Sequence, residues 1–424
     1  MPVNDATTTT TTSASPQPGD ATFEAARAAF VAGVQAFEAG ELARAEASFI
    51  ESLRLVPGRA STLVNLAAVH QRLGRDKEAL AALDQALAAA PDDLAAWFHR
   101  AQLLQVLERP LEALASYERV LALDARHGDA WTQRGSLLKD MGRLVEAAQS
   151  FRQALAHGGD AELNRYFLAS VEGHGAGKGH SAGSSAGSSA GSSAGSSEGD
   201  AEGSSGRSEA VAAPDSAPRR YVQALFDSYA EGFDEHLVGK LGYRTPWLIE
   251  QLVVRHGGAG RRFASALDLG CGTGLLGPLL APHCAALDGV DLSPAMLAKA
   301  RALGCYRDLV HADIAEHLAG TARRYDLVAA ADVFVYIGAL EAVFAGVARV
   351  LDAGGLFAFS VEEAAASVAR YELRPSSRYA HAEGYLRELA TAQGAFEWLA
   401  AERTTLRHEQ RQPIGGLLVL LRRR

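Results

Sequence analysis

Ala266-Leu267-Asp268-Leu269-Gly270-Cys271-Gly272-Thr273-Gly274 is an apolar run ending in closely spaced glycines, and a second apolar run ends at Gly289-Val290-Asp291-Leu292. An apolar run, a glycine turn, a helical pattern and a second run ending in an acid together hold a nucleotide-like cofactor. A cofactor with a ribose and a charged tail needs close backbone approach, which Gly270, Gly272 and Gly274 permit because side chains there would block it. Asp291, with Leu292 beside it, is placed to accept hydrogen bonds from both ribose hydroxyls. Ser293 and Pro294 cap and start the next helix, which fixes the carboxylate at a rigid strand end. Asp268 precedes the first glycine, where it could answer an ammonium group directly or through water.

Two cofactors satisfy this loop. Gly272-Thr273-Gly274-Leu275-Leu276-Gly277 also fits the dinucleotide fingerprint Gly-x-Gly-x-x-Gly. S-adenosylmethionine is favoured by Asp268, by a further acid, Asp313, expected to end the third strand, and by a closing hairpin that would set an antiparallel strand inside the sheet. On these residues, 218–424 resembles the class I S-adenosylmethionine-dependent methyltransferases. The resemblance implies that Asp268 to Gly274 form the first family motif, that Asp291 binds ribose, that Asp313 and Ile314 contact adenine, and that Asp332, Tyr336 and Ile337 line the methyl-transfer pocket.

A sulfonium methyl is already electrophilic, so the protein must chiefly align a nucleophile and exclude water. A carboxylate acceptor needs no base. For a phenol, amine or hydroxyl a carboxylate or histidine would help, and the catalytic candidates are Asp332, Tyr336 and His381. Tyr229, on an amphipathic helix with Phe226 and Phe233, is a candidate lid residue whose ring would favour the cationic sulfonium. The polar stretch Arg374 to His381 falls where this fold inserts substrate-covering loops. Arg378 and Tyr379 there, with His408 before the last strand, are the candidates for binding an anionic substrate.

The elements that must position these residues follow from patterning. Apolar runs at 264–269, 286–291, 308–313, 326–331 and 355–361 alternate with helical patterns, which predicts a parallel sheet with helices on both faces. Runs at 396–402 and 414–422 predict the terminal hairpin. Residues 22–171 carry a 34-residue period instead. Gly40, Gly74, Glu108 and Gly142 mark turns, small residues stand at Gly33, Ala67, Ala101 and Gly135, and large ones at Phe49, Leu83, Tyr117 and Phe151. Small residues where helices cross, and a large one filling the gap, define stacked helical hairpins. With Trp97 and Trp131 in the early aromatic position, this region resembles four tetratricopeptide repeats, with 162–171 as a capping helix. That resemblance implies a solenoid binding a peptide segment of a protein partner.

The expected fold class is therefore multidomain: a disordered start (1–21), an all-α repeat solenoid (22–171), a Gly/Ser/Ala-rich flexible linker (172–217) and an α/β Rossmann-like methyltransferase domain (218–424). Such a linker spans about 35 Å end to end. The combination implies methyl transfer to a small-molecule or protein acceptor, with the repeats recruiting a partner. The alternative is a repeat scaffold whose cofactor-binding domain is catalytically dispensable. A net charge of −9 argues against a nucleic-acid or anionic-membrane partner. Cys271, Cys284 and Cys305 match neither a zinc site nor a disulfide framework, so no metal is expected and a reducing cytoplasm fits.

Overall fold

A computed structural model of the chain describes residues 18–173, 213–240, 242–257, 260–409 and 412–424. Most of the expected disordered start and of the expected linker therefore lies outside the described residues. The chain divides into two compact units, one running to Gly142 and including Ala156–Gly159, the other formed by Arg143–Leu155 and Asp160–Arg424.

The first unit is built of helices α1 (Pro18–Glu38), α2 (Leu42–Leu55), α3 (Ala60–Arg72), α4 (Asp76–Ala89), α5 (Leu94–Val106), α6 (Pro110–Leu123) and α7 (Gly128–Asp140). The 34-residue period becomes geometry at two kinds of position. A Cβ at Gly33 would lie 2.6 Å from the Phe49 ring, so only glycine lets α1 and α2 cross this closely. At the turn position Gly40, Gly74 and Gly142 have φ of 77°, 71° and 75°, and Glu108 adopts φ 55° in the same place. Glutamate thus accepts a left-handed turn that favours glycine, and Pro110 starts the following helix. Trp97 and Trp131 donate their indole N–H to Pro91 O at 2.8 Å and Ala125 O at 2.9 Å, the same bond one repeat apart.

The second unit contains α8 (Leu144–Ala156, save its last residue) and α9 (Ala161–Glu172), which the sequence pattern groups with the repeats. Helices α10 (Arg219–Tyr229) and α11 (Thr245–His256) lead into a mixed sheet. Its strands are β1 (Ala266–Leu269), β2 (Leu287–Asp291), β3 (Asp308–His311), β4 (Tyr325–Ala330) and β5 (Leu351–Glu363), parallel in the order β3-β2-β1-β4-β5. Helices α12 (Gly277–Leu280), α13 (Pro294–Ala302), α14 (Ile314–Gly320) and α15 (Glu341–Val350) connect these strands. A short hairpin of β6 (Tyr371–Leu373) and β7 (Tyr379–His381) follows, then α16 (Glu383–Thr391), β8 (Phe396–Glu409) and β9 (Gln412–Arg423). Strand β9 runs antiparallel between β5 and β8, as the terminal hairpin predicts.

Both sheet faces are covered. Leu267, Leu269, Val328, Phe357 and Phe359 pack with α14, α15 and α16 on one side. The alternate residues Ala266, Leu327, Ala329, Leu356 and Ala358 pack with α11 on the other. Burial on two faces explains why the strands read as near-continuous apolar runs, and each large side chain withdrawn from water contributes about 2 kcal/mol. Among the described residues, no helix is long and apolar enough to cross a membrane.

Two expectations are corrected. The stretch 374–381 is not loop throughout: its last three residues form β7, which pairs with β5 at Glu362 and Glu363 and is buried throughout. The first strand of the terminal hairpin, expected over 396–402, continues instead to Glu409.

Candidate active site

The three glycines have three different jobs. Gly272 (φ 54°) lines a cavity, and a Cβ on it would meet no atom within 4 Å, so the open space beside it is available to a ligand. At Gly270 (φ 65°) a Cβ would strike Val333 at 2.5 Å. At Gly274 (φ 91°) it would strike Leu303 at 2.7 Å and the Ala300 backbone at 3.2 Å. Gly274 therefore serves the packing of the loop on α13 and is not among the cavity residues. Asp291 joins the loop to the second strand: its Oδ2 accepts the Gly272 N–H at 2.8 Å, and its Oδ1 accepts the Ser293 N–H at 2.8 Å. Burial raises this carboxyl, against the pull of those backbone donors.

Asp268 is 1% exposed and accepts one side-chain bond, from the Tyr306 hydroxyl at 2.8 Å. Burial pushes its carboxyl up to about 7, with Tyr306 opposing. A buried carboxylate with a single donor and a face on the cavity suits an incoming ammonium. The residues present thus fit a cofactor with an amino-acid tail and a ribose.

The cavity has a volume of about 410 Å³, within the range of small-ligand pockets. It also contacts Leu292, Asp313 and Ile314. Asp313 caps α14 through Ala315 N–H at 2.9 Å and faces Arg219 at 3.3 Å. Strand β3 stops two residues earlier than expected, so this acid sits in a helix cap instead of at a strand end.

Helix α10 and the residues after it cover the cavity with Phe226, Tyr229 and Phe233. Two acids that the sequence left unmarked fasten this cover. Asp227 accepts the Ser293 hydroxyl, and Asp234 the Thr273 hydroxyl, each at 2.5 Å. Residues 214–217 strap the rim, where Ala217 N–H donates to Tyr336 O at 2.9 Å and Gly338 N–H to Asp215 O at 2.8 Å. The Phe226 ring meets Tyr336 edge-on at 5.4 Å.

The cavity is also lined by Asp332, Tyr336, Arg378 and Arg407. Asp332 follows β4 with φ 56°, a conformation that costs aspartate about 1 to 3 kcal/mol and that the surroundings must enforce. Ser360 enforces it, accepting the Asp332 N–H at 2.8 Å and donating to Asp332 Oδ1 at 3.0 Å. Asp332 Oδ2 lies 3.4 Å from Arg407 Nη1. Burial raises the Asp332 carboxyl, and the guanidinium of Arg407 opposes this. Arg407 also pairs with Glu362, and with Glu409 at 2.8 Å, while Arg378 pairs with Glu409. The arginines are neutralised by neighbouring acids, so they offer no excess positive charge to an anionic substrate.

Four expected site residues lie elsewhere. His381 is fully buried, its Nε2–H donating to Ile337 O at 2.9 Å and Gly338 O at 3.2 Å, and burial lowers it to about 4. It is no catalytic base. Tyr379, also fully buried, donates its hydroxyl to Pro214 O at 2.6 Å. His408 is exposed, opposite Pro413 in the β8–β9 ladder. The fourth is Gly274. Arg407, the neighbour of His408, is the residue of that pair that lines the cavity. A β-bulge between Thr405 and Arg407 places Leu406 and Arg407 both inside, and nothing in the sequence pattern signals a bulge.

Residues 266–355 match the family model of a methyltransferase domain, and residues 60–103 and 128–156 match tetratricopeptide repeat models. The chain therefore joins tetratricopeptide repeats to a class I methyltransferase fold. It is 33% identical over 98 residues to the ubiquinone biosynthesis O-methyltransferase of Citrobacter koseri, covering 22% of this chain and 40% of that one. Over 97 residues it is 37% identical to human methyltransferase-like protein 27, covering 23% and 38%. It thus spans about 40% of the length of these curated relatives. Among solved structures, the N-methyltransferase NodS from Bradyrhizobium japonicum in complex with S-adenosyl-L-homocysteine aligns with TM-score 0.39 at 19% identity, over 47% of this chain and 97% of that one. The MamA protein aligns with TM-score 0.34 at 15% identity, over 35% and 82%.

Proposed function

We propose that this chain transfers the methyl group of S-adenosylmethionine, in line, to a nucleophile on a small molecule or a protein, and that its repeats recruit a protein partner. One observation carries the reading: a single covered cavity is lined by the Asp291–Gly272 pair and by the strained, buried Asp332. Asp291 would receive the ribose hydroxyls, Asp268 the ammonium group, and Leu292, Asp313 and Ile314 the adenine, with Tyr229 closing over the site. When bound, S-adenosylmethionine supplies a methyl group already activated by its sulfonium. Helix α10 and the strap exclude water, which strengthens every charge interaction inside.

Asp332 is the group that takes the proton of a hydroxyl or amine acceptor, and Tyr336 and Arg378 border the same space. Because Arg378 and Arg407 are balanced by Glu362, Glu409 and Asp332, a neutral or basic acceptor fits better than an anionic one. The three cysteines, at spacings of neither a zinc site nor a disulfide framework, are the ground for placing the protein in a reducing cytoplasm. Incubating the full chain with lysate and methyl-labelled S-adenosylmethionine tests the reading. Label entering protein or small molecules supports it, and no transfer by protein that binds the donor contradicts it.

A further inference from the structure

Helix α9 has the sequence of a solenoid cap, yet in the C-terminal unit it performs two contacts that a cap does not need. Tyr166 is fully buried, and its hydroxyl donates to the carbonyl oxygen of Ser377 at 2.5 Å. Ser377 sits at φ 59° in the tight turn between β6 and β7, where Arg374 N–H donates to Arg378 O at 2.9 Å and Ser377 N–H to Arg374 O at 2.8 Å. The next residue is Arg378, which lines the cavity. A left-handed serine is a costly conformation that persists only where its surroundings hold it, and the Tyr166 hydroxyl binds the carbonyl of that very residue.

The second contact is with the cavity cover. The Tyr221 ring of α10 lies 5.3 Å from Phe167, edge-on at 85°, and 6.0 Å from Tyr166. Tyr166 also meets the Tyr379 ring of β7 at 6.2 Å. One turn of α9 therefore touches two borders of the cavity, the covering helix through aromatic packing and the Arg378 turn through a hydrogen bond. Asp160 fixes the start of this helix by accepting the Leu163 N–H at 2.9 Å.

We propose that α9 is a built-in positioning element of the acceptor side, in which the Tyr166 hydroxyl holds the Ser377 turn and thereby Arg378, while Tyr166 and Phe167 seat the covering helix through Tyr221. Tyr166 is a positioning residue, because it reaches the cavity only through Ser377 and Tyr221. The meaning of this element rests on reading the cavity as a methyl-transfer site, but its mechanical content does not.

Hydrogen exchange of the full chain without ligand separates the two. Tyr166→Phe keeps the ring and removes one hydroxyl. It is expected to speed exchange of the 374–379 amides about fivefold or more, the effect of one lost hydrogen bond, and to leave 219–229 within twofold of the parent. Phe167→Ala is expected to speed exchange across 219–229 by a similar factor. Tyr117→Phe, an equally buried tyrosine of the first unit, is expected to change neither segment. This split between ring and hydroxyl is a readout that general loosening would not produce. Unchanged exchange at 374–379 in Tyr166→Phe, unchanged exchange at 219–229 in Phe167→Ala, or an equal response to Tyr117→Phe overturns the proposal.

Discussion

The carboxylate of Asp291 accepts the backbone N–H of Gly272 at 2.8 Å, so the acid of the second strand and the glycine loop after the first are one mechanical unit. Removing the carboxylate therefore does two things at once: it deletes the proposed acceptors for the ribose hydroxyls and releases the loop. Asp291→Ala is expected to weaken S-adenosylhomocysteine binding by about 2 kcal/mol or more, roughly thirtyfold, as calorimetry would measure. Affinity unchanged by the substitution would place the ligand elsewhere.

Gly272 and Gly274 give opposite predictions from similar backbone angles. Alanine at 272 adds left-handed strain of about 1 to 2 kcal/mol and puts a methyl group into open cavity space, so the chief loss should be in ligand affinity. Alanine at 274 collides with Leu303 and the α13 backbone, so the chief loss, about 3 kcal/mol, should be in stability. Thermal melts and calorimetry on the two variants separate these effects.

Ligand binding should depend on pH through Asp268. Its carboxyl, raised to about 7 by burial, is largely protonated in the free protein below that pH and must ionise to receive an ammonium group. Affinity for S-adenosylhomocysteine is therefore expected to fall as pH drops through 7, by about tenfold between pH 8 and pH 6. Asp268→Asn should bind weakly and show a flat profile over the same range.

Asp332→Asn preserves size and the Ser360 contacts while removing the base. It is expected to lower methyl transfer to a hydroxyl or amine acceptor by about a hundredfold or more, with S-adenosylhomocysteine affinity within threefold of the parent. Equal rates in the variant would assign Asp332 a structural role.

The fold and the donor half of the proposed site were legible from local pattern: apolar runs marked the strands, the loop glycines follow the first of them and Asp291 ends the second. The acceptor half was not. Arg407 faces inward because of a bulge, and Tyr379 and His381 are core residues because β7 extends the β5 edge beyond the end of β4. Both facts depend on long-range pairing, for which a single sequence carries no period. The same holds for Tyr166, whose place on α9 fits a repeat cap while its partner Ser377 is far along the chain. A cut at residue 172 would thus remove a helix of the C-terminal unit, so binding experiments belong on the full chain.

Calorimetric titration of the full chain with S-adenosylmethionine, S-adenosylhomocysteine and NAD tests the central claim most directly. Both sulfur ligands are expected to bind at one site per chain, and NAD is expected not to bind. Binding of NAD with neither sulfur ligand would contradict it.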